Sequence, residues 1–338
     1  MFNSIHLARP WERASCDFYG IEPQIFGLGE LDRLGAVAKL TERANVLILT
    51  AEQVPSTESR ERSSVMAIHG FTNPLSPTGR ASAVEPPPHF ISADAIRVVF
   101  RAGEEVVRQY LPEGLEPVDG GLGFAYVADM MKVSASEPDQ AYLNPERTQY
   151  GEGIIGFYCK HGETRGRFSA FIWVDQDWSM QFGVVMGWAK KMAEVHRTRI
   201  NPFNPAMEPI GPGTKLKGVV HRHGRTLFEL GVEIEKEEAS TPLEDKALHG
   251  EKAFLLRYFP SVGPAIPETK QLLGLPLTDG RTGDMFSGKP YLKFGASDNE
   301  DLEPLKNVEL VRGYTYKSGW KTDTVLEVLH DYTESGGW

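Results

Sequence analysis

Residues 216–234 read LKGVVHRHGRTLFELGVEI, two runs rich in valine, leucine and phenylalanine that meet at His223 and Gly224. Branched and aromatic side chains suit a pleated strand, and a glycine at the junction tolerates the backbone of a tight reversal, so the segment predicts a β-hairpin. Residues 154–174, IIGFYCKHGETRGRFSAFIWV, predict a second hairpin turning around Gly162 to Gly166. Working outward, AIRVVF at 95–100 and GLGFAYVADM at 121–130 add short apolar runs bounded by turns. Helical signal is sparse here. The clearest piece is GEEVVRQYL at 103–111, where Val106, Val107 and Tyr110 share a face. This order predicts an α+β protein built mainly on antiparallel sheet with a few helices, rather than alternating βαβ units.

The texture differs toward the N-terminus. Residues 30–43, ELDRLGAVAKLTER, place Leu31, Leu34, Val37 and Ala38 at helical spacing, and a short apolar run follows from Val46 to Leu49. Gln53 to Ser64 is polar, and Asn73 to Pro88 ends in three prolines, so both read as loops. The expected division is an N-terminal extension over 1–85 and a main domain over 86–338.

Composition narrows the function classes. The 338-residue chain is 41% hydrophobic and 24% charged, ordinary for a globular protein and unlike disordered, fibrous or disulfide-scaffold chains. A formal net charge of -10 opposes phosphate backbones and anionic lipid, and no Lys/Arg block reverses it locally, so neither nucleic acid nor membrane is expected as a partner. Cys16 and Cys159 are too few and too far apart for a disulfide framework or a zinc site, and are expected as reduced thiols. Arg9, Pro10, Glu12 and Arg13 occupy the place where a signal peptide needs its apolar stretch, and no run approaches a membrane span of about 20 residues. A cytoplasmic location is the expectation.

Familiar chemical signatures are absent: there is no P-loop, dinucleotide fingerprint, HExxH or GxSxG. His221 and His223, two apart in a strand, would share a face and could hold a metal, but without a third ligand they read as exposed strand histidines. Asp298, Glu300, Asp301 and Glu303 lack the glycine turn of a calcium loop and read as a solvated acidic loop. Residues 184–195, VVMGWAKKMAEV, set Lys190 and Lys191 inside an unusually apolar stretch. Burial and a neighbouring cation both favour the uncharged, nucleophilic amine. Helical periodicity argues the other way, burying Val185, Trp188, Met192 and Val195 and leaving Lys190 on the solvent face.

Several segments, taken in order, are similar to one family. PPPHFISADAIRVVFRAG at 86–103, LPEGLEP at 111–117, GWAKKMAEV at 187–195, FLLRYFPSVG at 254–263, PYLKFGASDNEDLEPLKNVELVRGYTY at 290–316 and LHDYT at 329–333 resemble acetoacetate decarboxylase. The resemblance implies a barrel-like sheet enclosing a cavity, with Lys190 as the Schiff-base lysine and Lys191 as the neighbour that lowers its proton affinity. It sets Trp188 beside them at the substrate. YGEG at 150–153 matches the region supplying a cavity glutamate, which nominates Glu152 for proton transfer. Two departures stand out: Ala93 replaces an arginine, and Ala125 a second cavity glutamate. Arg97, Arg101 and Asp129 lie close enough in sequence to take over substrate binding. The family implies a homo-oligomeric lyase acting on a small carbonyl compound without metal or organic cofactor, first by decarboxylating a β-keto acid. Aldol, dehydration or hydration chemistry could run in the same cavity. The alternative is a cavity protein that binds an apolar metabolite, or shapes its cyclisation, without covalent catalysis.

Overall fold

The structure, a computed structural model, describes residues 67–238, 252–263, 267–322 and 326–335. The helix expected over residues 30–43, the run at 46–49 and Cys16 lie outside them. Along the chain the strands are β1 (His89–Arg101), β2 (Glu116–Pro117), β3 (Leu122–Ser134), β4 (Gln149–His161), β5 (Thr164–Val174), β6 (Lys190–Met192), β7 (Glu194–Arg197), β8 (Lys215–Arg222), β9 (Arg225–Glu237), β10 (Lys252–Phe259), β11 (Thr269–Phe294), β12 (Glu309–Thr322) and β13 (Glu327–Asp331). The α-helices among the described residues are α1 (Glu104–Arg108), α2 (Gln140–Leu143), α3 (Pro145–Thr148) and α4 (Asp177–Met186).

Both expected hairpins form. His223 and Gly224, with φ of 51° and 72°, give β8 and β9 the left-handed two-residue turn that matches strand twist, and Gly162 at φ 57° does the same between β4 and β5. Hydrogen-bonded neighbours run β10-β5-β4-β3-β1-β12-β11, and β10 also pairs with β11, so the path returns on itself as a barrel. β11 runs beyond the barrel to pair with β9, which carries β8 and β7. Only the β5–β6 and β5–β10 pairings are parallel among these strands. The predicted α+β class with a mainly antiparallel, barrel-like core is therefore observed.

Alternation along each strand divides the apolar residues into layers. Val98 and Phe100 of β1 and Val127 of β3 meet Val220, Phe228, Leu230 and Val232 of β8 and β9 in one buried cluster. Each fully buried side chain of this size contributes about 1.5–3 kcal/mol, so this layer holds the β7–β9 flap against the barrel wall. Ile91, Ala95, Tyr126, Tyr150, Ile172 and Tyr316 form a second cluster on the opposite face.

Residues ahead of the expected boundary at 85 also pack on the main body. Val84, fully buried, packs with Phe182 and Met186 of α4. The prolines that suggested a linker lead directly into β1. Cys159 is a buried free thiol, its pKa raised by burial. No helix among the described residues is long and apolar enough to cross a membrane.

Candidate active site

One row of paired residues crosses five strands. Arg97 of β1 pairs with Tyr126 of β3, Tyr126 with Ile154 of β4, Ile154 with Ile172 of β5, and Ile172 with Lys190 of β6. Paired residues on adjacent strands point to the same face, so the row lines the curved interior and turns its two ends toward each other. All five border a cavity of about 110 Å³.

Lys190 reaches that cavity because the preceding helix stops. α4 ends at Met186, and Gly187 takes the left-handed conformation at φ 99°. The N–H groups of Gly187 and Trp188 both donate to the Gly183 carbonyl, at 2.8 and 2.9 Å, closing the helix C-terminus. The helical periodicity that placed Lys190 in solvent does not apply, since Lys190 begins β6. Its Nζ lies 2.8 Å from Glu152 Oε2 and donates to Ser179 Oγ at 3.0 Å. The two side chains are only 3% and 8% exposed. The ring centroids of Tyr150, Trp188 and Phe182 stand 5.0, 5.9 and 6.0 Å from the amine. Gly183 makes the close approach possible: a Cβ there would lie 2.6 Å from Lys190 Cγ. Burial, reinforced by the Glu152 charge, raises the Tyr150 pKa well above its ordinary value, so this phenol stays a donor.

The other end of the row is cationic. Arg97, 5% exposed, donates from Nη1 to the Tyr158 hydroxyl at 3.3 Å and lies 4.6 Å from the Phe124 ring centre. Its buried Nε has no hydrogen-bond partner. Arg167 lines the same cavity, and its pKa is lowered to about 10 by burial and then by Arg97. Two guanidinium groups in one enclosed space are the kind of donor set that planar, bidentate binding of a carboxylate uses.

Of the sequence candidates, Lys190, Glu152, Trp188 and Arg97 meet in this cavity. The remaining three do not. Lys191, alternating with Lys190 on β6, turns away and donates to Glu300 Oε2 at 2.8 Å and to the Asn299 carbonyl at 3.3 Å. Arg101, at the end of β1, pairs with Glu309 at 3.2 Å. Asp129 faces outward and binds Arg199 at 2.7 Å and Arg197 at 3.5 Å. Ala125 also faces away, into the layer under β8 and β9, so it does not mark a lost cavity carboxylate. Ala93 does belong to the inner cluster, on the face of β1 that presents Arg97 four residues later.

Other readings also change. Glu300, assigned to a solvated loop, is buried under Lys191 and Arg222. His221 accepts or donates a hydrogen bond with Thr226 while His223 sits in the turn, so the pair does not share a strand face. Among the described residues no three histidine, cysteine or acidic side chains gather as a metal site. Sequence reading missed Arg167, Ser179, Tyr126 and Tyr150. A bulge at Ala170 hides the first of these: Ser169 and Phe171 oppose the consecutive residues Gly156 and Ile155, so Arg167 and Ser169 share a face with Ile172 against simple alternation.

A protein-family model described as acetoacetate decarboxylase (ADC) matches residues 72–333. The chain belongs to the acetoacetate decarboxylase family. No curated protein matches it. Among solved structures, an acetoacetate decarboxylase-like enzyme from Sphingomonas wittichii RW1 is 30% identical, with a TM-score of 0.72 over 78% of this chain and 100% of that one. The enduracididine biosynthesis enzyme MppR, complexed with the condensation product of pyruvate and imidazole 4-carboxaldehyde, is 27% identical, with a TM-score of 0.72 over 79% and 98%. A structure from studies of acetoacetate decarboxylase itself, 14% identical with a TM-score of 0.63 over 78% and 96%, shares the fold. This acetoacetate decarboxylase-family member thus stands among enzymes of the same fold.

Proposed function

We propose that this protein is an imine-forming lyase acting on a small keto acid, with Lys190 as nucleophile, Glu152 as proton carrier and Arg97 with Arg167 as the carboxylate receptor. The observation that carries the reading is the buried Lys190–Glu152 pair at 2.8 Å, in one cavity with both arginines. Glu152 is placed to take a proton from the amine, which then attacks the ketone carbon. Glu152 returns that proton to the carbinolamine hydroxyl, which leaves as water and gives a protonated imine with Glu152 again a carboxylate; a lysine in an apolar pocket working this way is exemplified by acetoacetate decarboxylase itself. The iminium then withdraws electrons from a neighbouring bond. Loss of a proton from the adjacent carbon to Glu152 gives an enamine, whose carbon adds to an aldehyde; Glu152 returns the proton to the new alkoxide. Dehydration and hydrolysis of the imine release product and free Lys190.

The arginines favour condensation or cleavage that retains the carboxylate. A carboxylate held by two cations is stabilised in place, whereas decarboxylation requires its charge to leave for the iminium. The pyruvate complex of MppR, 27% identical with a TM-score of 0.71 over 79% of this chain and 99% of that one, is a further support for a keto acid. Decarboxylation of a β-keto acid is the second reading, favoured by the three aromatic rings around Lys190.

The test is borohydride reduction after incubation with pyruvate, acetoacetate or acetone, followed by peptide mapping. Trapping on Lys190 with pyruvate, lost in Lys190→Ala, is expected, without carbon dioxide release from acetoacetate. Arg97→Met should raise KM for pyruvate about ten- to hundredfold, the worth of a charge-assisted hydrogen bond, and leave acetone trapping unchanged. No trapping with any of the three would leave a cavity that binds without covalent catalysis.

A further inference from the structure

We infer that Ser179 is a catalytic residue: once Lys190 has formed its imine, Ser179 Oγ takes the one remaining N–H and leaves Glu152 free to move protons on carbon. The inference rests on the imine reading above and concerns the step that follows imine formation. It starts from the course of the Lys190 side chain along α4. The stem passes over Gly183, where a Cβ would lie 2.6 Å from Cγ and 2.7 Å from Cδ. The amine ends at Ser179, one helical turn earlier, and donates to its Oγ at 3.0 Å. Positions four apart on a helix share a face and are separated by about 6 Å of rise, close to the reach of an extended lysine. One rigid element therefore fixes both the stem and the head of the side chain.

The hydrogens on nitrogen decide the rest. As an amine or an ammonium, Lys190 has enough of them for two acceptors, and both Glu152 Oε2, at 2.8 Å, and Ser179 Oγ are in contact with it. A protonated imine keeps a single N–H, so one acceptor must be given up. The two are not equivalent. Glu152 borders the cavity that would hold the substrate carbons, whereas Ser179, fully buried on α4, is not among its lining residues and meets the substrate only through the nitrogen. Tyr150 hydrogen-bonds with both side chains. Its phenolic proton goes to the Glu152 carboxylate, so its oxygen accepts the proton of Ser179, and Ser179 is left with lone pairs for the nitrogen. The N–H on Ser179, together with the stem over Gly183, sets the plane of the imine. The C–H bond that breaks must stand across that plane for its electrons to enter the C=N bond. Glu152 takes that proton, the electron pair forms the C=C bond of the enamine, and the nitrogen, now neutral, keeps its N–H on Ser179. Reversal returns a proton, or a deuteron from solvent, to the same carbon.

The experiment follows two readouts on the full-length protein with pyruvate in heavy water: the extent of borohydride trapping on Lys190, and the rate at which the pyruvate methyl group takes up deuterium, read by proton NMR. Ser179→Ala should trap Lys190 to the wild-type extent at saturating pyruvate, with KM close to that of the wild type. Methyl exchange should fall about 10- to 100-fold, the worth of a hydrogen bond to a charged group, because the imine N–H then turns to Glu152 and occupies it. Should the alanine variant fail to fold, Ser179→Cys, similar in size but a weak acceptor, carries the same expectation. Methyl exchange at the wild-type rate in folded Ser179→Ala or Ser179→Cys overturns the inference. Loss of trapping in step with exchange overturns it as well, since the serine would then act on the free amine. A wild type that traps no pyruvate removes the imine reading, and this inference with it.

Discussion

At the scale of single residues, the site depends on an absent side chain. Gly183 occupies the last turn of α4, where its missing Cβ leaves room for the Lys190 stem, and any added carbon would sit 2.6 Å from Cγ and 2.7 Å from Cδ. Gly183→Ala adds only a methyl group with better helix propensity, so the fold should persist while the amine is pushed from Glu152. A displacement near 1 Å in a reacting group costs about 10²-fold. The expectation is a fall in kcat of that order with an unchanged far-UV circular dichroism spectrum; an active, folded Gly183→Ala enzyme would show that Lys190 does not need its observed path. Lys190 and Glu152 were legible in the sequence only through resemblance. No local pattern pairs a lysine at 190 with a glutamate at 152, because the contact is made across three strands.

Among the elements, α4 and β6 act together through Gly187. Its φ of 99° suits glycine, and a Cβ there would also meet the Arg257 backbone nitrogen at 2.9 Å. Gly187→Ala should therefore cost about 1–2 kcal/mol for the left-handed backbone alone. In a body of this size that is about 2–4 °C in Tm per kcal/mol, measurable by calorimetry. The hairpins were legible because His223, Gly224 and Gly162 are the residue types that left-handed turns require. The end of α4 was not: apolar residues continue through Trp188 and Ala189, and hydrophobic periodicity does not register a C-terminal glycine inside such a run. Arg167 escaped for a related reason, since one bulged residue reverses the facing of all that precede it in β5.

The whole molecule carries buried charge with a defined pH signature. His89 has a folded pKa of about 4 against an ordinary value of 6.5, so below pH 6.5 the unfolded chain binds the extra proton. Stability should accordingly fall as pH drops from about 6.5 to about 4, and His89→Gln should flatten Tm against pH across that window. Lys132, lowered from 10.5 to about 8, has the same sign at higher pH, adding stability as pH rises between those values. The α+β class was largely legible at this scale. Ahead of Pro86 to Pro88, which read as a linker, burial of Val84 and Glu85 ties these residues to α4 and β3. Closure of the barrel through β10 and β11 has a stereochemical consequence. On the proposed function, a keto acid tethered at Lys190 and held at Arg97 would be unable to turn over, so its enamine would offer a single face and any new stereocentre is expected to form with one hand.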